Sequence, residues 1–179
     1  YRIGRAYAAL LSPERVVVGF DIRLTSEALC TAVGRGLMDG GADVLNIGQC
    51  GTEEVYFATS HLNADGGIAG TASHNPKDYN GMKLVRKNSR PISADTGLFD
   101  IKKLAEQSQF PKPEKIGVLE NVNTKPAYIE HLLTYVNASL LKPLKIVCNA
   151  GNGGAGPAID LLEPHLPFEL IKVHHQPDG

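Results

Sequence analysis

Neither sign of charge predominates in this chain of 179 residues. Eighteen Lys and Arg stand against nineteen Asp and Glu, a formal net charge of −1. That balance offers no electrostatic basis for non-specific binding to nucleic acid or to an anionic membrane, and neither partner is expected. Long apolar runs are also missing. Val16–Phe20 is strand-length, far short of the roughly 20 residues that cross a bilayer. No basic, then apolar, then small-residue stretch opens the chain, so an export signal is not indicated and a cytoplasmic protein is expected. Cysteine is scarce: Cys30, Cys50 and Cys148 are widely spaced and form no C-x-x-C pair. This excludes a zinc knuckle or a disulfide framework, and the three are expected as buried, reduced thiols. Internal repeats and low-complexity tracts are absent as well.

What is present is ordinary globular composition, 42% apolar and 21% charged. A disordered chain is thereby excluded, and the length corresponds to one large domain or one and a half. Tyr1–Leu11 carries Ile3, Tyr7, Leu10 and Leu11 at helical spacing, without a capping residue ahead, and Ser12-Pro13 ends it. Arg15–Phe20 reads as a buried strand. Thr25 or Ser26 is expected to cap a following helix with the stripe Leu29, Val33 and Leu37, ended by Gly40-Gly41. Asp43–Ile47 is a second strand, and Thr52 is expected to cap a helix ending near Leu62. Gly66–Ala72 and Met82–Arg86 are further strands around a polar loop, and Asp95 opens a helix through about Gln107. Strands alternating with helices indicate βαβ units and a mostly parallel sheet.

At Ser108–Asn123, prolines and lysines break any periodicity, and we read a linker there. Thr124 and Pro126 then open a helix, Leu144–Cys148 is a strand, a glycine-rich turn leads into a helix to about Glu163, and Phe168–Val173 is another strand. The expected organisation is thus a first α/β domain over 1–107, a linker over 108–123 and the start of a second domain over 124–179. The chain is expected to be a piece of a longer one at both ends.

The chemistry concentrates in Thr71-Ala72-Ser73-His74-Asn75-Pro76-Lys77-Asp78-Tyr79-Asn80-Gly81-Met82-Lys83. This loop follows a strand, and open parallel sheets bind ligands beyond the carboxyl ends of their strands. Pro76 biases Asn75 to extended backbone, and Asn80-Gly81 is a strong turn signal. A serine hydroxyl becomes a covalent carrier when a base removes its proton and a cation steadies the transferred group. His74 and Lys83 are the local candidates, and lysine suits a phosphoryl group as a point charge. Gly70 is small enough for a ligand to approach the backbone. Without G-x-S-x-G around Ser73, an α/β-hydrolase elbow is disfavoured. Strand alternation would also turn His74 away from Ser73. On these residues alone, a structural surface turn and a phosphoryl-carrying site both remain open.

T-A-S-H-N-P followed by D-Y-N-G-x-K resembles the phosphoserine loop of the α-D-phosphohexomutases, most closely their bacterial phosphomannomutase branch. Gly19–Ser26, G-T-E-E-V-Y-F within Gly48–Phe57, Asn80–Val85, R-P-I-S-x-D-T-G at Arg90–Gly97 and L-I-K-V-H near the end share the likeness. It thus runs along essentially the whole chain. The resemblance implies a three-layer αβα domain with a mixed, mostly parallel sheet, and the start of a second of similar build. It implies an isomerase that moves a phosphoryl group between the 1- and 6-positions of a hexose phosphate, mannose phosphate foremost and glucose phosphate next. Ser73 would be the phosphoserine. Lys83 would be a general base or proton shuttle, and His74 would shape the phosphoserine site. Arg23, Asn75 and Asn80 would support the phosphate centre and its loop. Mg²⁺ is the implied cofactor, with Ser73 a metal-site residue through its phosphate oxygen. The family's D-G-D-x-D-R metal loop and Gly-Glu-x-Ser sugar loop do not occur in this sequence, so the chain alone is expected to be inactive.

Two other readings compete. Gly151-Asn152-Gly153-Gly154-Ala155-Gly156 satisfies G-x-G-x-x-G, the signature of a dinucleotide-binding turn. The acid such a turn needs should end the next strand, yet Glu169 opens it, and Pro157 removes a donor from the helix start. His174-His175 has no third metal ligand at recognisable spacing and is expected as a surface pair. The other reading is a non-catalytic phosphate-binding module built on the Ser73 turn.

Overall fold

A computed structural model describes residues 1–76 and 78–178, so Lys77 and Gly179 lie outside the described residues. The chain divides into two compact units, Tyr1–Val122 and Asn123–Gly179. The first unit runs α1 (Arg2–Leu11), β1 (Arg15–Phe20), α2 (Ser26–Met38), β2 (Asp43–Gln49), α3 (Thr52–His61) and β3 (Gly66–Gly70). It continues with β4 (Met82–Arg86), β5 (Arg90–Pro91), α4 (Leu98–Gln107) and β6 (Leu119–Asn121). Its six strands lie in the order β5-β4-β3-β1-β2-β6. β3, β1, β2 and β6 are mutually parallel, while β4 and β5 run antiparallel to their neighbours. This is the expected mixed, mostly parallel sheet.

The run Val16-Val17-Val18 explains the layering. Parallel strands covered on both faces lose the polar half of their alternation. Val16 and Val18 pack with Tyr7 of α1, Val33 and Leu37 of α2 and Ile101 of α4. Val17 turns to the other face, against Leu45, Val55, Ala58 and Ala69. Three helices therefore cover one side of the sheet and α3 the other.

Local differences from the expected elements have identifiable causes. α2 stops at Gly40-Gly41 as expected, with Gly41 at φ 95°. Thr25 does take the N-cap position, but its hydroxyl and that of Ser26 are turned toward residues outside the helix. Gly51, and not Thr52, caps α3, its N–H donating to Glu54 Oε1 at 3.1 Å. Asp95 falls in a separate 3₁₀ turn, Ala94–Thr96, because Gly97 at φ 120° breaks the backbone before α4. The stretch read as a linker supplies a strand: the amide of Val44 donates to Val118, and β6 then adds to the open edge of β2.

The second unit holds α5 (Lys125–Leu133), β7 (Leu144–Asn149), α6 (Ala155–Leu162) and β8 (Phe168–Val173). β7 and β8 pair in parallel from Leu144↔Phe168 to Asn149↔Val173. Among the described residues, no helix of either unit is long and apolar enough to cross a membrane.

Candidate active site

In register, Phe20 of β1 sits beside Gln49 of β2 on one side and Gly70 of β3 on the other. Three loops therefore leave the carboxyl edge together, and β4 starts there because Met82 pairs with Gly70. Two further bonds close the edge: Asp21 N–H donates to the carbonyl of Gly70 and Thr71 N–H to that of Gly81, both at 2.9 Å. Residues 21–25 and 71–81 are thus brought face to face, at the place where such sheets bind ligands.

Ser73 occupies the left-handed region at φ 52°. A serine there is uncommon, and such backbone persists only when its surroundings over-determine it. Its N–H donates to Thr71 Oγ1 at 2.9 Å, and its carbonyl accepts from Arg23 Nη2 at 2.7 Å. β3 ends at Gly70, short of the expected Ala72, and the left-handed backbone of Ser73 turns the chain, so alternation no longer separates neighbours. Ser73 Oγ and His74 Nδ1 come within 3.0 Å of each other. The expectation that His74 faces away from Ser73 is therefore corrected. With its proton on Nε2 this ring accepts from the hydroxyl, and as imidazolium it donates to an oxygen on Ser73.

Asn75 closes the turn, its amide N–H₂ donating to the carbonyl of Ala72 at 2.9 Å. Asn80 reaches across the edge, donating from Nδ2 to Thr25 Oγ1 and to Ser26 Oγ, each at 2.9 Å. Its Oδ1 accepts from Gly81 N–H at 2.8 Å. This explains why the two hydroxyls leave the helix start. Lys83 stands exposed on β4 opposite Ala69, and among the described residues it is His74, not Lys83, that hydrogen-bonds Ser73 Oγ.

Arg23 is mostly buried, its side chain 12% exposed, and it faces backbone. Nη1 donates to the carbonyls of Pro76 at 2.6 Å and Tyr79 at 3.0 Å; Nη2 donates to those of Ser73 at 2.7 Å and Asn75 at 2.6 Å. Its Nε lies 3.4 Å from Asp21 Oδ2. Asp21 Oδ1 accepts from Arg23 N–H at 3.0 Å and from the Ser26 hydroxyl. Asp21 and Thr71, together with the expected capping residues Thr25 and Ser26, are neighbours of this loop that the sequence does not assign to it. The signal was there in an aspartate and an arginine two residues apart at a strand end.

Gly70 does not admit a ligand, contrary to expectation. A Cβ at that position would meet Cys30 Sγ at 2.3 Å, so the space is taken by a buried thiol. Cys30 is 3% exposed, and burial pushes its thiol up to about 11. Cys50 is buried and Cys148 half-buried, and among the described residues none of the three is in a disulfide.

The glycine-rich turn of the second unit bonds internally. Asn149 Oδ1 accepts from Gly151 N–H at 2.9 Å, and Asn152 N–H donates to the carbonyl of His174 at 2.7 Å. A Cβ on Gly156 would lie 2.1 Å from the carbonyl of His175, so this glycine permits close packing of α6. Glu169 pairs with Lys145 of β7 at 2.7 Å instead of ending its strand. His175 is half-buried rather than on the surface, its Nε2 lying 2.8 Å from Asp160. Nothing in this arrangement favours a dinucleotide.

A mixed, mostly parallel α/β sheet thus presents at its carboxyl edge a left-handed serine, in a loop whose carbonyls are gathered by Arg23. Residues 1–112 match the family model for phosphoglucomutase/phosphomannomutase, alpha/beta/alpha domain I, and the chain belongs to that family. It is 57% identical over 187 residues to a phosphomannomutase from Escherichia coli, covering 100% of this chain and 41% of that protein. It is also 57% identical over 178 residues to a protein named phosphohexose mutases from Xanthomonas campestris pv. campestris, covering 99% of this chain and 40% of that protein. Among solved structures, a phosphoglucomutase/phosphomannomutase family protein from Burkholderia thailandensis superposes with a TM-score of 0.88 at 32% identity, covering 99% of this chain and 40% of that one. The chain thus spans about two fifths of the length of the curated relatives it matches.

Proposed function

We propose that this chain is the phosphoserine-bearing part of a cytoplasmic hexose phosphate mutase, with mannose 6-phosphate and mannose 1-phosphate as its substrate pair. Residues 1–107 are read as its first domain, and those from 124 onward as the opening of a second. The observation that carries the reading is Ser73, held left-handed at the carboxyl edge of the sheet with its hydroxyl 3.0 Å from His74 Nδ1.

In this reading Ser73 Oγ carries a phosphoryl group. A free hydroxyl of the sugar monophosphate attacks the phosphorus, the Ser73 O–P bond breaks as the new sugar O–P bond forms, and the hydroxyl proton passes to the Lys83 amine. The bisphosphorylated sugar then turns end for end. Ser73 Oγ attacks the other phosphorus, releasing the isomeric monophosphate and restoring the phosphoserine, with the proton returned to the sugar oxygen. His74 lies where it can donate to the oxygen that Ser73 carries. Positioning and cationic support are what phosphoryl transfer requires of a protein.

Among the described residues, no cluster of three or more His, Cys, Asp or Glu could hold a metal ion. A hard cation such as Mg²⁺ takes oxygen ligands in octahedral array. Among the described residues, the one ligand proposed for such an ion is an oxygen of phosphorylated Ser73.

The test is Ser73→Ala in the full-length protein, fed a bisphosphorylated hexose. The variant should take up no phosphoryl group, as read by intact mass, and should lose mutase turnover while melting like the parent. Normal turnover would refute the carrier assignment.

A further inference from the structure

We propose that Arg23 is a positioning residue and not a ligand of the substrate phosphate, and that Asp21 is the group that sets it. The proposal rests on the reading of Ser73 as the phosphoryl carrier. A guanidinium has five N–H donors in a fixed planar fork. Here the four on Nη1 and Nη2 match four carbonyls, those of Ser73, Asn75, Pro76 and Tyr79, at 2.6–3.0 Å. Nε lies 3.4 Å from Asp21 Oδ2, an ion pair that balances the guanidinium charge. Every terminal donor is therefore committed within the protein, and a phosphate could reach one of them only by breaking a bond that shapes the loop.

The four carbonyls belong to both limbs of the loop, so one planar group draws them together around the residue that carries the chemistry. The bond to the carbonyl of Ser73 itself acts on the residue with the left-handed backbone. Asp21 completes the arrangement from below. It balances the guanidinium charge, accepts from Arg23 N–H at 3.0 Å, and accepts from the Ser26 hydroxyl. Ser26 in turn receives Asn80 at 2.9 Å, so Asp21 governs both the clamp on the loop and the strut at its exit. It does so without touching Ser73.

A lysine keeps the charge but has three donors on one atom and cannot span four carbonyls. The two roles of Arg23 therefore separate in the full-length enzyme. As a clamp, Arg23→Lys and Asp21→Asn should each lower kcat about 10²-fold, the typical result of a small misplacement of a reacting group. KM for the hexose phosphate should stay within about twofold, because ground-state binding is untouched. As a phosphate ligand, Arg23→Lys would instead raise KM and retain most of kcat, and that result overturns the proposal.

A second measurement needs no variant. In the parent protein, ¹⁵N-resolved spectra should show the four Arg23 Nη protons as separate, slowly exchanging signals that inorganic phosphate does not shift. A single averaged signal, or one that moves with phosphate, refutes the clamp. Loss of turnover in Ser73→Ala beside parental kinetics in Arg23→Lys would sink this inference alone, whereas turnover in Ser73→Ala sinks the reading beneath it.

Discussion

Gly70→Ala tests whether the strand that delivers the serine loop is placed by its contact with α2. The added methyl would lie 2.3 Å from Cys30 Sγ and 3.5 Å from Phe20 Cβ. Cys30 is 3% exposed and sits among packed residues, so its thiol has little room to withdraw. Overpacking of this kind costs about 1–3 kcal/mol, while removing glycine's freedom from the unfolded chain offsets about 0.4–1 kcal/mol. A net destabilisation of about 1–2 kcal/mol is expected. Cys30→Ala alone should cost about 1 kcal/mol, for one buried heavy atom lost from the core. The double variant places one methyl in the space that the sulfur vacates. It should recover about 1–2 kcal/mol relative to the sum of the singles, a coupling normal for residues in contact. Urea unfolding followed by far-UV circular dichroism measures all four corners, with the slope m held constant across them. A double variant no more stable than the summed singles would show that the thiol is not what Gly70 accommodates, and the account of this glycine would fall.

Tyr7 donates from its hydroxyl to the carbonyl of Val85 at 2.7 Å and is fully buried, which pushes its phenol well above its ordinary value of 10.0. Tyr7→Phe should cost about 1–2 kcal/mol by leaving a buried acceptor without its donor. Because the fold keeps the phenol neutral, its contribution is complete below pH 10 and is lost as pH rises beyond that; the variant should flatten the alkaline decline, as thermal melts between pH 8 and 11 would show. Lys83→Ala in the full-length enzyme should depress kcat by about 10²–10⁴-fold with a much smaller change in KM, as loss of a general acid–base does. Unchanged single-turnover kinetics would remove its proton-transfer role.

Much of this domain can be read from one sequence because its core strands are regular. Val16–Val18 has no polar alternation, which identifies a strand covered on both faces, and it is covered on both. The short edge strands escape such reading. β5 has two residues and β6 three, all exposed, so neither presents a period to detect. They exist because neighbouring strands offer open edges, which is tertiary information.

The site divides along the same line. The serine, histidine, lysine and asparagines are visible as a motif, yet their mutual geometry depends on one backbone angle. At φ 52° Ser73 leaves the strand region, and two side chains that alternation would separate come within 3.0 Å. Thr25 and Ser26 show the complementary failure. Their local preference is to cap a helix, and a partner 54 or 55 residues away in Asn80 overrides it. Arg23 carries the largest consequence, because charge and proximity alone suggest an anion partner for it. Only the match of its four terminal donors to four carbonyls, beside an ion pair with Asp21, supports reading it as part of the scaffold. The residues to which we assign the chemistry are thus legible by type, and the Asp21–Arg23 support beneath them by hydrogen-bond accounting alone.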